Sequence, residues 1–490
     1  MAKELPDKNF FDTEYPKANL KGQVVRGGMW VFTLRITDQL FRLARTVVLA
    51  RVLAPSDFGL FGIALLAMSA LETFSQTGFN TALIQKKGDT KPYLDTAWTV
   101  QVIRGILLAL LAFVIAPYVA VFFDAPAAKP ILQVIAFSML LQGFTNVGVL
   151  YFQKELEFHK QFVYMFSGTL ADIGVAIPAA FLLRSVWALV FGLLAGNLVR
   201  MVVSYFVHAY RPRMGFSLQQ FRELSNFGKY IFLQTIVIFF LTHGDDAFVG
   251  KVLGTTALGF YQLAYRLSNL PATEITHIIS QVTFPAYSKL QDQKDRLKRA
   301  LIKTFKFTTL VSIPIAGGIF VLAPEFTRAF LGERWMPMVP AIQVMCLFGA
   351  IRSVGATFGP IYQAIARVDI PLKINVTQLV LLVAIIYPLS LYWGILGTAV
   401  AITLCAIIAL YLISKRIMGL LEIDFVSLFK PLFLSVLASV GMIATMLILK
   451  TFVLNTVNCF SVLYLIVIGG ICYLGLGFII YTAFGLDLRN

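Results

Sequence analysis

Arg35, Asp38, Arg42 and Arg45 stand at spacings of 3, 4 and 3 residues. On a helix that spacing brings all four to one face, over about 15 Å at 1.5 Å per residue. A planar guanidinium donates two parallel hydrogen bonds, which suits it to phosphate oxygens. The same spacing also fits an internal salt-bridge ladder, with Asp38 in reach of Arg35 and Arg42. Glu72, Gln76 and Asn80 follow at i, i+4 and i+8, again one face. Asp172, the adjacent Asp245 and Asp246, Arg266, Glu274 with His277 and Gln281, and Arg352 complete the set. Arg35, Asp38, Arg42, Arg45, Arg266 and Arg352 are the candidates to line a cavity for an anionic substrate. Glu72, Asp172, Asp245, Asp246 and Glu274 are the candidates to couple transport to protons or sodium ions. For each single residue, an interhelical pair with no further role is the competing reading. Arg104 and Arg200 fall near the ends of their apolar segments, where snorkelling to the interface is expected.

All of these residues lie inside apolar runs. The 490-residue chain is 58% hydrophobic and 13% charged, with a mean hydropathy of +0.79. A soluble domain of ordinary composition is about 45–50% apolar and about 25% charged. Fourteen helical crossings of about 20 residues would absorb about 280 residues, close to the observed apolar share. The composition is that of an all-α polytopic membrane protein, and it disfavours a soluble enzyme or a nucleic-acid-binding domain. The apolar runs are continuous, unlike the alternating strands of a barrel. Fourteen spans are expected at 29–53, 57–82, 96–122, 130–151, 161–183, 186–209, 227–251, 257–283, 304–327, 338–365, 371–393, 395–414, 430–450 and 459–484. Ionisable groups within them are costly in lipid and normally face a partner or a cavity.

Basic residues orient these spans. With the N-terminus placed in the cytoplasm, 27 of the 41 Lys and Arg fall in the tail, the loops on its side with their flanking residues, and the C-terminus. The opposite loops hold 6, namely Lys129, Arg184, Lys251, Arg328, Arg334 and Lys450, and the other 8 lie within spans. Cytoplasmic loops carry this excess, so both termini are expected inside and the net charge of +16 needs no nucleic acid. The densest run, 289–306, holds seven basic residues and suits lipid head groups.

An internal repeat is visible at an offset of 200 residues. LARVLAPSDFGLF at 49–61 aligns without a gap to VGKVLGTTALGFY at 249–261. Between 28 and 64, seven positions are identical to their partners, among them Val52/Val252, Leu53/Leu253, Gly59/Gly259 and Ala64/Ala264. The expected organisation is a cytoplasmic tail 1–28, a six-helix lobe 29–209, a basic linker 210–226, a second six-helix lobe 227–414, a cytoplasmic loop 415–429, a helix pair 430–484 and a tail 485–490. Parallel repeats with a site at their interface are a transporter architecture.

Enzyme and metal signatures are missing. The four cysteines include no Cys-x-x-Cys, the four histidines lack metal-ligand spacing, and no phosphate loop occurs. Residues 1–27 have no apolar core of a cleavable signal. No metal or resident cofactor is expected beyond a coupling ion.

Seven segments occur in order: VLARVLAPSDFGLFGIA at 48–64, TGFNTALIQKK at 77–87, FQKELEF at 152–158, YQLAYRLSNLP at 261–271, FPAYSKLQDQ at 284–293, LGERWMPMVPAIQVMCLFGAIRSVG at 331–355 and ARVDIPLKINV at 366–376. In these the chain resembles the polysaccharide-transporter flippases (Wzx-like, colanic-acid-exporter type) of the multidrug/oligosaccharidyl-lipid/polysaccharide superfamily. The resemblance implies a flippase that moves undecaprenyl-pyrophosphate-linked sugar repeat units across the bacterial inner membrane for exopolysaccharide, capsule or O-antigen synthesis. It implies alternating access around a cationic cavity, driven by a cation gradient. Its partners would be the lipid-linked oligosaccharide, membrane lipids, a polysaccharide polymerase and a chain-length regulator. A multidrug exporter or a peptidoglycan-precursor flippase of the same superfamily is the alternative; the former typically has twelve spans and acidic sites. A membrane polymerase or ligase would present a large external loop, and the external loops here are short.

Overall fold

A computed structural model of the chain describes residues 20–76, 91–154, 157–220, 229–453 and 459–483. Its helices are α1 (Leu20–Val52), α2 (Pro55–Phe74), α3 (Lys91–Phe122), α4 (Ala128–Ile135), α5 (Phe137–Gly143), α6 (Leu150–Lys154), α7 (Phe158–Leu183) and α8 (Trp187–Val207). They continue with α9 (Lys229–Val252), α10 (Thr255–Ser288), α11 (Lys294–Phe326), α12 (Val339–Gly355), α13 (Gly359–Ala364), α14 (Asp369–Leu421), α15 (Phe425–Val453) and α16 (Cys459–Ala483). No strand occurs among the described residues. Nine helices there are long and apolar enough to cross a membrane. The protein is an all-α, multi-pass membrane protein, and many large apolar side chains remain exposed on its outside, as lipid contact requires.

Local chemistry sets several boundaries. Of the span expected at 57–82, the described helix runs to Phe74, and the Ser75 hydroxyl at its C-cap donates back to the carbonyls of Leu71 (2.6 Å) and Glu72 (3.1 Å). The span expected at 130–151 is instead two short helices, α4 and α5, followed by a 3-10 turn at Val147–Val149 that Asn146 caps. The 53-residue α14 is two helices that meet at Gly394, whose φ of 57 and ψ of −136 no ordinary side chain adopts readily. That break falls between the spans read at 371–393 and 395–414.

The repeat is visible in the packing of α2 against α10. A Cβ on Gly59 would stand 1.8 Å from the carbonyl oxygen of Thr255, and one on Gly259 would stand 1.9 Å from that of Pro55. Residue 59 thus meets 255 and residue 259 meets 55, each at the 200-residue offset. Position 62 faces position 262 in the same way: a Cβ on Gly62 would be 2.0 Å from the Gln262 amide oxygen. The two helices approach this closely only because the crossing is made of glycine.

Trp335 fills the same end of the molecule. It is fully buried, donates its indole N–H to the Ala50 carbonyl at 2.8 Å, and meets Phe58 and Phe260 edge-on at 5.2 and 5.7 Å. Arg51 donates to the carbonyls of Phe330 and Ala329, and Arg334 to that of Leu53. These contacts lock the α1–α2 turn to residues 329–335 and close that end.

Candidate functional site

The charged face of α1 is tied to α7. Arg42 Nε pairs with Asp38 Oδ2 at 2.7 Å, the i,i+4 contact that the spacing predicts. Thr169 joins both: its hydroxyl donates to Asp38 Oδ1 at 2.7 Å and accepts from Arg42 Nη2 at 3.2 Å. One turn further along, Arg45 Nη2 pairs with Asp172 Oδ1 at 2.8 Å, and the side chains are only 11% and 22% exposed. Glycines of α8 make room for this pair. A Cβ on Gly192 would lie 2.3 Å from Asp172 Oδ1, and one on Gly196 3.2 Å from Asp172 Cβ. Arg200 packs against α7. Its side chain lies across Gly168, with Nε 2.3 Å from where a Cβ would be, and that Nε is buried without a hydrogen-bond partner.

A cavity of 350 Å³ lies where the two halves of the sequence meet. Its polar lining comes from Arg45 and Thr46 of α1, Ser69 of α2, Thr242, His243 and Asp246 of α9, and Gln262, Tyr265 and Arg266 of α10. Arg266 has no ion-pair partner among the described residues, whereas Arg45 has Asp172. Asp246 sits 3.9 Å from His243 Nδ1. Arg352 of α12 donates Nη1 to the Tyr265 hydroxyl at 2.7 Å and so touches this lining from behind. Asp245, beside Asp246 in sequence, turns the other way. It is buried and accepts the Tyr261 hydroxyl at 2.5 Å. Arg35 is half-buried two turns before Arg42. The side chain of Glu274 lies outside the described ones.

Glu72 belongs to a second polar cavity, of 570 Å³, bounded by α2, α3, α5 and α7. Gln76, Gln101, Arg104, Gln142 and Tyr164 share its lining. Arg104 donates to the Ser75 hydroxyl at 3.1 Å and to the Glu72 carbonyl at 2.9 Å.

A third cavity, of 580 Å³, is almost wholly apolar and runs between α11, α15 and α16. Met442, Met446, Val462 and Tyr473 line one side; Leu310, Pro314 and Leu322 line another. Gly318, Gly469 and Gly470 keep it open, and sequence reasoning did not single them out. At its inner edge stand Leu43 of α1 and Leu267 of α10. Leu43 stands three residues before Thr46 and Leu267 four after Leu263, both of the polar cavity, so groove and cavity occupy adjoining stretches of the same two helices.

Comparison with known proteins adds to this geometry. The family described as polysaccharide biosynthesis protein matches residues 48–340. The lipopolysaccharide biosynthesis protein WzxC of Escherichia coli (strain K12) is 26% identical over 439 residues, 88% of this chain and 89% of that protein. The succinoglycan biosynthesis transport protein ExoT of Rhizobium meliloti (strain 1021) is 25% identical over 353 residues, 72% of this chain and 71% of that one. Among solved structures, the lipid II flippase MurJ in an inward closed conformation superposes with a TM-score of 0.76 at 16% identity, over 93% of this chain and 99% of its own. An inward-facing multidrug transporter of the MATE family gives 0.63 at 16% identity, over 80% and 99%. These two likenesses show a shared fold.

Proposed function

This chain belongs to the polysaccharide biosynthesis protein family, and from that premise we propose that it flips undecaprenyl-pyrophosphate-linked oligosaccharide repeat units from the cytoplasmic to the periplasmic leaflet. It is a membrane transporter of polysaccharide biosynthesis and not an enzyme. The observation that carries the substrate class is the adjacency of two unlike cavities. Arg45 and Arg266 face the polar one, and Leu43 and Leu267 face the apolar groove. A pyrophosphate-sugar head fits the first, where guanidinium groups meet phosphate oxygens. A polyprenyl tail fits the second, between α11, α15 and α16. Two six-helix lobes, 29–209 and 227–414, rock about the α2–α10 crossing to expose the polar cavity to either side. The sealed end at Trp335 is the periplasmic one, and the basic end with both termini is cytoplasmic. Glu72, in its own polar cavity, takes up the coupling proton or sodium ion. The product passes to a polymerase and a chain-length regulator in the same membrane.

The test is reconstitution of the purified protein in liposomes with a fluorescent undecaprenyl-pyrophosphate oligosaccharide, its leaflet read by membrane-impermeant quenching. Transfer above protein-free liposomes is expected. Loss of one charge-assisted contact costs about 1.5–3 kcal/mol, so Arg266→Gln is expected to weaken substrate affinity roughly ten- to a hundred-fold. Transfer no faster than in protein-free liposomes, under every imposed ion gradient, would refute the assignment.

A further inference from the structure

A separate cavity of 450 Å³ opens at the basic end, between the two ends of α14. Arg367 and Ile370 line it where the chain enters α14; Leu412, Lys415, Arg416 and Gly419 line it near the exit. None of its lining residues is a carboxylate. Arg367 alone among the three cations meets one, Asp369 at 3.1 Å. Lys415 and Arg416 have no ion-pair partner among the described residues; the Lys415 ammonium lies 5.9 Å from the Tyr411 ring.

The pocket is held in shape by the backbone. Two residues past the end of α13, Ala366 has φ 56, a left-handed position that glycine usually supplies. The following N–H, that of Arg367, donates to the Tyr362 carbonyl at 2.8 Å, and the Tyr362 hydroxyl donates to the Ile413 carbonyl at 3.0 Å. The turn bearing Arg367 is thereby fixed to the stretch bearing Lys415 and Arg416. Apolar side chains flank the charges. Val368, Tyr411, Phe425 and Val426 are exposed, and Val376, Val380 and Leu404 continue an exposed apolar surface along α14. The level is that of the basic run 289–306, since Lys294 pairs with Glu422 at 2.5 Å and Lys298 donates to the Glu422 carbonyl at 2.9 Å.

We infer that this pocket binds the phosphate of an anionic phospholipid, with the acyl chains lying on the exposed apolar surface of α14. Lys415 and Arg416, with no carboxylate partner among the described residues and set beside apolar surface at the end of a membrane bundle, supply the chemistry that retains an anionic head group against a zwitterionic one. The site is distinct from the inter-half cavity, and its occupation does not depend on the transported substrate.

The experiment uses the full chain in detergent micelles and counts bound lipid by native mass spectrometry, titrating phosphatidylglycerol, phosphatidylcholine or inorganic phosphate. Two variants remove the site in different ways. Lys415→Gln with Arg416→Gln removes charge from exposed positions. Gly419→Leu fills the space, because a Cβ there meets nothing within 4 Å. The wild type is expected to hold phosphatidylglycerol in preference to phosphatidylcholine, and excess inorganic phosphate should leave it bound. Each variant should weaken that binding about tenfold or more, with an unchanged unfolding temperature. Undiminished phosphatidylglycerol binding in the charge variant would overturn the inference. So would equal retention of phosphatidylcholine. Displacement by inorganic phosphate would assign the pocket to a free anion and overturn the lipid reading.

Discussion

Asp172→Asn is the perturbation that separates scaffold from transport. It leaves Arg45 charged, 11% exposed and without a carboxylate. Removing one partner of a buried pair costs about 3–5 kcal/mol, because the remaining charge is stranded. The Asp172 side chain is 22% exposed, and partial solvation brings the expectation below that range, to about 2–3 kcal/mol. Arg45→Gln alone should cost a similar amount through Asp172. Joining the two, Arg45→Gln with Asp172→Asn, strands neither member of the pair and keeps an amide at each position. Part of the lost stability should return, a coupling of about 2 kcal/mol for residues in direct contact, while Arg200 and Arg266 still lack the Asp172 carboxylate. Transport should not return with it, because Arg45 also lines the inter-half cavity. The assay is thermal unfolding of the purified protein and its membrane abundance, beside surface polysaccharide in cells carrying each variant. Wild-type stability in Asp172→Asn would refute the structural weight given to the pair. Full export by the double variant would remove Arg45 from the substrate path.

Three other outcomes follow from the same geometry. Gly259→Ala must displace backbone, since its Cβ would lie 1.9 Å from the Pro55 carbonyl oxygen; a loss of about 1–3 kcal/mol is expected in thermal unfolding, and Gly59→Ala added to it should cost less than the sum. Reporter fusions at Lys294 should register cytoplasm and fusions at Asp124 and Glu333 periplasm; periplasmic activity at Lys294 would contradict the charge-based orientation. Glu72→Gln should abolish the dependence of transport on an imposed proton or sodium gradient; an unaltered dependence in proteoliposomes would take Glu72 out of coupling.

What the sequence made legible was local. The i,i+4 contact of Asp38 with Arg42 follows from spacing alone, and the gap between two apolar spans at Gly394 is where the helix breaks. The partner of Arg45 was not legible, because Asp172 is 127 residues away and is chosen by how α1 packs on α7. The contacts of Arg104 and Arg200 were hidden for a related reason. Their place near span ends gave no sign that a serine at the end of α2 meets Arg104 or that Arg200 lies across a glycine on α7. Small residues decide where charge is buried, and hydropathy patterns do not report them. The apolar groove escaped notice likewise, since its opening depends on Gly318, Gly469 and Gly470 among otherwise ordinary membrane sequence.

The crossing of α2 and α10 has the form of an isologous contact. Residue 59 meets 255 while 259 meets 55, and position 62 faces 262, so one patch is present twice and touches its own copy across an approximate two-fold axis. A surface of that kind is self-complementary, as in a symmetric homodimer. A single half-length chain bearing this helix would therefore already carry the face needed to pair with a second copy of itself. Fusing the two copies removes that obligation to stay identical. Cys405 and Trp335 need no counterparts in the first half, and the paired helices remain joined through backbone-close glycines whose replacement on either side strains both.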